Sequence, residues 1–287
     1  MVRVGFIGLG VMGRPMAANL LRAGYRVSFF SRRPETGEML IDLGGVPAHS
    51  SREAAEHSDA IVTMLPDTAA VDSVLFGKDG VSEAIRPDAV VIDMSTIAPA
   101  AAMDFADRLA AMGCGMLDAP VSGGEKGAIE GTLSIMVGGE QRCFESARPI
   151  LQAMGKNIVY AGSSGNGQKT KLVNQLVGAT NLLAAVEGLR LARVAGLDPD
   201  VTLQAVLQGA AGSWMLANLG PCILRQDFAP GFSIRLQHKD LKLLHEWTSE
   251  LGGEFPAADL AYAVFAEALE MGLGDQGNQG LINVWCP

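Results

Sequence analysis

The chain has 287 residues, 48% of them hydrophobic, and a net charge of −9 with a pI near 5.0. That length suits one large domain or two ordinary ones, and the acidic balance argues against a nucleic-acid partner. No apolar run reaches the ~18 residues of a membrane span, and Met1-Val2-Arg3 passes straight into a strand pattern, so neither membrane association nor a signal peptide is expected.

Up to about residue 160, short β-rich runs alternate with helical patterns. The strand candidates are residues 4–7, 26–30, 60–64, 89–93, 116–118, 133–137 and 157–160. The earlier ones are almost continuously apolar, as parallel strands covered on both faces should be. Helical patterns such as 51–57 and 98–112 fill the gaps, which predicts a doubly wound α/β sheet.

The first run leads into Gly8-Leu9-Gly10-Val11-Met12-Gly13, and a helical run leads out of it. Strand, three spaced glycines and helix form the context of a dinucleotide fingerprint. Gly8 permits the tight turn, Gly10 lets the backbone approach a pyrophosphate, and Gly13 lets helix and strand pack closely. The second strand ends at Ser31-Arg32-Arg33, where NAD users tend to carry an acidic residue for the ribose. The two arginines either grip a 2′-phosphate through forked hydrogen bonds or form a solvated loop. The fingerprint upstream favours the grip, hence NADP as the preferred cofactor, with NAD possible. Met64, Leu65 and Thr96 follow later strands, where the carboxyl ends of a parallel sheet open onto a ligand crevice.

Two stretches carry the candidate chemistry. In Asp118-Ala119-Pro120-Val121-Ser122-Gly123-Gly124, a strand end runs into a small glycine-rich turn. The N–H groups of Ser122, Gly123 and Gly124 either form a nest for a carboxylate or belong to a plain surface turn. The second stretch, residues 165–175, opens a long helical pattern. Lys171, Asn174, Gln175 and Gly178 stand at i, i+3, i+4 and i+7 and share one face. Lone helical lysines are usually solvated, but Lys171 has amides rather than glutamates for neighbours. Partial burial would fit it for proton transfer.

From 168 to 195 there is no proline, and a helix of that length is roughly 40 Å long, enough to link or straddle two bodies. Asp198-Pro199 reads as a stop and restart, with Asp198 as N-cap and Pro199 at the first helical position. Residues 199–208, 215–224, 237–251 and 256–271 are helical in pattern, and no convincing strand follows residue 164. The predicted organisation is an NADP-binding Rossmann domain over 1–163 and an all-helical domain over 164–287, with 164–195 as the interdomain helix. Cys114, Cys143, Cys222 and Cys286 share no metal-like spacing and read as reduced thiols in a cytoplasmic protein. His49, His57, His238 and His245 form no H-x-x-x-H pair, so no metal site is expected.

Four stretches in this order resemble the β-hydroxyacid dehydrogenase family, which includes 3-hydroxyisobutyrate dehydrogenases and tartronate semialdehyde reductases. They are the opening from Gly8 to Ala17, the turn from Asp118 to Gly124, the helix start from Gly167 to Gln175, and Lys239-Asp240-Leu241. The resemblance covers essentially the whole chain. It implies Lys171 as general acid/base, Ser122, Gly123 and Gly124 on the substrate carboxylate, Asn174 and Gln175 orienting the substrate, and Lys239 at the cofactor end of the cleft. Many relatives carry Asn where Gln175 stands, which keeps the amide but changes its reach. The resemblance also implies a homodimer or homotetramer, and the apolar pattern of 256–271 suits a helix that buries a second face. Trp214 lies near the family's pocket-lining positions and is either a substrate-side residue or a core one. The expected reaction is hydride transfer between NADP and a small 3-hydroxy acid, or the matching semialdehyde with its carboxylate. Imine reductases share the expected fold but usually lack the lysine; a 6-phosphogluconate-type enzyme needs a longer C-terminal half, and a non-catalytic NADP-binding protein leaves Lys171 without a use.

Overall fold

The computed structural model describes residues 2–285, so Cys286 lies outside the described residues. The chain divides into two compact units, Met1–Lys171 and Leu172–Pro287. The change of character in the sequence falls at 163/164. The break in packing comes after Lys171, because Asp118 and Val121 bind the opening turns of the long helix to the first unit.

The first unit holds nine strands: β1 (Arg3–Ile7), β2 (Arg26–Phe30), β3 (Val46–Pro47), β4 (Ala60–Thr63), β5 (Val90–Asp93), β6 (Gly115–Asp118), β7 (Val121–Ser122), β8 (Leu133–Gly139) and β9 (Gly155–Gly162). They form one sheet in the order β3-β2-β1-β4-β5-β6-β8-β7, with β9 also paired to β8. From β3 to β6 every pairing is parallel. β8 runs antiparallel to β6 and β7 and parallel to β9. The helices of this unit are α1 (Gly13–Arg22), α2 (Glu38–Asp42), α3 (Ser51–Ala55), α4 (Thr68–Phe76), α5 (Pro99–Ala110), α6 (Gly124–Glu130) and α7 (Gln141–Gln152).

The central strands are apolar throughout because both faces are covered. Val4, Phe6, Val62 and Ile92 enter one core, while their chain neighbours Ile7, Ile61 and Val91 enter another. This period-two division is what a buried parallel strand requires. β3 and β7 have only two residues each, too few for a periodic signal, and neither was expected from the sequence. The strand order reverses at β1, between β2 and β4, and a doubly wound sheet opens its ligand crevice at such a point.

The long helix α8 (Asn166–Val194, 29 residues) begins in the first unit and continues into the second. The second unit then adds α9 (Pro199–Leu207), α10 (Trp214–Arg225), α11 (Ile234–Leu251), α12 (Pro256–Glu270) and a 3-10 segment, Asn278–Val284. Asp198 caps α9 as its position suggests, accepting from the N–H groups of Asp200 and Val201. Leu182, Val186, Leu241, Phe265 and Leu281 lie in the core of this unit. Among its described residues there is no strand, only the isolated bridge between Ser233 and Gly277. No described helix is long and apolar enough to cross a membrane.

Candidate active site

The glycine stretch spans the end of β1 and the start of α1. Gly8 has a φ of +101°, and a Cβ there would stand 2.3 Å from Met64 O. A Cβ on Gly13 would stand 1.9 Å from Gly8 O. Only glycine permits either approach. Gly8 N donates to Phe30 O at 3.0 Å, and Met64 N donates to Ile7 O at 3.0 Å, which ties the ends of β1, β2 and β4 together. Above this turn, Gly10 has no heavy atom within 4 Å of where a Cβ would stand.

The start of α1 leaves its N–H groups without a capping side chain. Several other helices are capped by a side chain: α3 by Ser50, α4 by Asp67, α10 by Ser213 and α11 by Ser233. α1 has Met12 at its N-cap, no side-chain cap and no acidic residue in its first turn. Its opening N–H groups and positive dipole end are therefore suited to an anion. Val11 is 55% exposed beside them. At the end of β2, Ser31 Oγ accepts from Arg33 N at 3.3 Å and from Thr36 Oγ1 at 3.0 Å. Arg32 and Arg33 are exposed, and among the described residues no ion pair holds either guanidinium. These residues fit a dinucleotide: an uncapped helix start and an open glycine for the pyrophosphate, and two cations beyond β2.

The ends of β5 and β6 carry a second, buried arrangement. Asp93 Oδ1 accepts from Thr63 Oγ1 at 2.7 Å, Ser95 Oγ at 2.6 Å and Ser95 N at 3.2 Å. Its other oxygen is buried without a hydrogen-bond partner. Ser95 Oγ in turn accepts from Leu65 N at 2.9 Å, joining the loops after β4 and β5. Thr96 follows at the tip. Asp118, the register partner of Asp93, accepts from Gly165 N and Gln168 N, both at 2.8 Å. The start of α8 is thus capped by a carboxylate from β6. The approach is close: a Cβ on Gly167 would stand 2.2 Å from Asp118 O.

Burial pushes Asp93 and Asp118 each up to about 6, against the hydrogen bonds that favour their ionised forms, and the Asp118 charge adds to the rise at Asp93. Sequence reading placed neither aspartate in the site; the signal available was a strand ending in Asp at both β5 and β6.

Lys171 lies one turn into α8. It is buried, and its Nζ donates to Val121 O at 2.8 Å. Val121 immediately precedes Ser122, Gly123 and Gly124. The turn there has φ of +133° at Gly123 and +61° at Gly124, where α6 starts without a side-chain cap. The fold of the first unit therefore brings the lysine to the glycine turn across fifty residues of sequence.

In the second unit, Gln175 is buried on α8 and accepts from Asn174 Nδ2 at 2.9 Å. Gln175 Nε2 donates to Asp240 Oδ2 at 2.6 Å, and Lys239 Nζ lies 2.7 Å from Asp240 Oδ1. That last contact is an ion pair without hydrogen-bond geometry. Gln237 and Asn278 complete this buried polar group, with Asn278 Nδ2 donating to Gln237 Oε1 at 3.4 Å. Neither was singled out from sequence, because α11 and the 3-10 segment meet only on folding. Trp214 is 61% exposed at the start of α10, which removes the core alternative for it. Among the described residues no group of His, Cys, Asp and Glu is arranged to hold a metal ion.

Comparison with known proteins places this geometry in a family. Residues 3–162 match the family described as the NAD binding domain of 6-phosphogluconate dehydrogenase. Residues 165–285 match that described as NAD-binding of NADP-dependent 3-hydroxyisobutyrate dehydrogenase. The 2-hydroxy-3-oxopropionate reductase of Escherichia coli is 43% identical over 255 residues, 89% of this chain and 87% of that protein. The chain belongs to the β-hydroxyacid dehydrogenase family. The 3-hydroxyisobutyrate dehydrogenase of Pseudomonas aeruginosa is 39% identical over 273 residues, 93% of this chain and 92% of its own. The crystal structure of a 3-hydroxyisobutyrate dehydrogenase from Salmonella typhimurium superposes with a TM-score of 0.92 at 33% identity, covering 99% of this chain and 100% of that one. An imine reductase from Pseudomonas sp. shares the fold at 20% identity and a TM-score of 0.64, covering 99% of both chains. The chain is thus an NAD(P)-dependent 3-hydroxyacid dehydrogenase by family.

The raised Asp93 has a stability consequence. Its folded pKa lies above the unfolded one, so the folded protein binds the extra proton between about pH 4 and 6, and the associated stability is lost as pH rises through about 6. Asp93→Asn, neutral at every pH, should gain stability relative to wild type between about pH 5 and about pH 7.5. Urea unfolding midpoints at the two values measure this. A constant difference between the two proteins would show that Asp93 does not change charge there.

Proposed function

We propose that the protein is an NADP-preferring oxidoreductase of a small 3-hydroxy acid or the corresponding carboxylate-bearing semialdehyde, with Lys171 as general acid/base. The observation that carries the reading is the 2.8 Å bond from Lys171 Nζ to Val121 O, which sets the amine beside the Ser122-Gly123-Gly124 turn. That turn offers backbone N–H groups to a carboxylate, and the lysine stands next to it with a proton to give or a lone pair to take one.

The Gly8–Gly13 turn and the start of α1 would hold the pyrophosphate, Leu9, Val11, Met12, Met64, Leu65 and Thr96 would line the cofactor's path, and Arg32 and Arg33, with Ser31, would take a 2′-phosphate. Bound there, the nicotinamide supplies or accepts the hydride. In oxidation, neutral Lys171 takes the hydroxyl proton as the carbonyl forms. In reduction, its ammonium form donates to the developing alkoxide. Val121 O holds that ammonium in place. Asn174 and Gln175 would orient the substrate, and Asp240 fixes the Gln175 amide from behind. Lys239 would meet the cofactor end, and Trp214, exposed at the start of α10, would serve the substrate side. The names of the relatives support the substrate class, since 2-hydroxy-3-oxopropionate is itself a carboxylate-bearing semialdehyde.

We also propose a homodimer or homotetramer built on the second unit. Val177, Leu191, Val194, Val201 and Leu260 are each more than half exposed there, apolar side chains that a partner copy would cover. Sedimentation equilibrium tests this, and a monomer mass would refute it. The unpaired thiols Cys114, Cys143 and Cys222 support the proposal of a reducing, cytoplasmic location, and the net charge of −9 the proposal that nucleic acid is not a partner.

Lys171→Ala should lower kcat by roughly 10²–10⁴-fold while leaving NADP affinity in place. Steady-state rates and a cofactor titration check this, and a variant at wild-type rate would remove the lysine from the mechanism. Arg32→Asp should weaken NADP by roughly 10–100-fold, the loss of a charge-assisted contact, and NAD far less. Equal losses for both cofactors would show that Arg32 does not meet the 2′-phosphate.

A further inference from the structure

Gln168 is fully buried, and its side chain bonds to nothing but backbone. Nε2 donates to Ser95 O at 2.8 Å, and Oε1 accepts from Ile97 N at 3.1 Å. One amide therefore brackets Thr96, holding the peptide groups on both sides of it. The backbone N–H of the same residue donates to Asp118 Oδ2 at 2.8 Å. Lys171 stands three residues on, where its Nζ bonds to Val121, itself three residues beyond Asp118. The start of α8 is thus tied to the β6–β7 segment through Asp118 and Val121, and the Gln168 side chain ties it to the loop after β5.

We propose that Gln168 is a positioning residue for hydride transfer: it locks the loop carrying Thr96 to the turn of helix carrying Lys171. The inference rests on the reading of Lys171 as acid/base. Anchoring the helix does not require this side chain, because Asp118 already caps its first turn. The two side-chain bonds reach only the loop. An amide matches the site because it presents one donor and one acceptor, which is what a carbonyl at 95 and an N–H at 97 require. A misplacement of about 1 Å between reacting groups is enough to lower a rate roughly 10²-fold. The pyrophosphate contacts at the ends of β1 and β2 do not pass through Gln168, whereas Thr96 would line the cofactor's path, so loss of Gln168 should show mainly in turnover and to a smaller degree in cofactor affinity.

Two variants test this. Gln168→Leu keeps the volume and loses both bonds. Its kcat should fall roughly 10–100-fold, and its NADP affinity, read by fluorescence titration, should weaken by a clearly smaller factor than kcat falls. Gln168→Glu keeps the acceptor and loses the donor while ionised, but regains the donor once protonated. The titratable groups around this position are Asp118, Asp93 on β5, and Lys169 and Lys171 on the helix itself. The kcat of Gln168→Glu relative to wild type should climb as pH falls from about 9 to about 6, since burial favours the neutral acid. That pH-dependent rescue is a readout that lost packing does not produce, and it decides the matter if Gln168→Leu fails to fold. A wild-type kcat in Gln168→Leu, or a Gln168→Glu profile parallel to wild type, would overturn the proposal. Lys171→Ala, assayed alongside, separates the two readings: if it stays active, the acid/base assignment fails, whereas an inactive Lys171→Ala beside a fully active Gln168→Leu refutes only the role of Gln168.

Discussion

Both oxygens of one buried carboxylate, Asp118, accept backbone N–H groups at the start of a 29-residue helix. That contact joins the carboxyl end of a sheet to the element that carries the candidate acid/base. A helix start leaves unsatisfied donors that must find a partner. Here the partner is a strand-end aspartate, so the sheet holds the helix start alongside the local bond from Asn166 N to Ser163 O. The glycines at the crossing follow from this, since Gly167 approaches Asp118 O more closely than any Cβ allows. Lys171, one turn further along the helix, then meets the carbonyl of Val121, just beyond Asp118.

The rest of the first unit arranges chemistry along the same edge. The strand order β2-β1-β4-β5-β6 sets side by side the arginine loop, the glycine turn, Met64-Leu65, Ser95-Thr96 and the Asp118–Gly124 segment. Charge is distributed accordingly. The helix start at the glycine turn carries no side-chain cap, whereas the start of α8 is capped by a carboxylate. Asp93 and Asp118 are costly groups to bury, and burial raises both. In return they order the loops after β4 and β5 and the start of α8.

Much of this architecture was legible in the residues. The runs of β1, β2, β4, β5 and β6 coincide with the observed elements within a residue or two, and those of β1, β4 and β5 are buried on both faces. The glycine spacing of Gly8, Gly10 and Gly13 and the Asp198-Pro199 restart act through local backbone chemistry, which sequence displays directly. What escaped notice is non-local. The antiparallel placement of β8 leaves no mark in a strand buried on both sides. Gln168 read as one polar residue in a glycine-rich helix start, since its partners Ser95 and Ile97 are more than seventy residues away. Gln237 reaches Gln175, and Asn278 reaches Gln237, only through the packing of the second unit. For Trp214 the sequence left substrate side and core both open, and only the fold, which exposes it at the start of α10, separates them.

The central claim is that a backbone nest for a carboxylate and a buried lysine together select a 3-hydroxy acid. The most direct measurement follows nicotinamide absorbance during turnover of a small 3-hydroxy acid, its methyl ester and a cyclic imine, each supplied with the appropriate oxidised or reduced NADP. The expected result is turnover of the free acid, at least ten-fold less with the ester (roughly the loss of one charge-assisted contact), and none with the imine. Equal rates for acid and ester, or turnover of the imine alone, would contradict it.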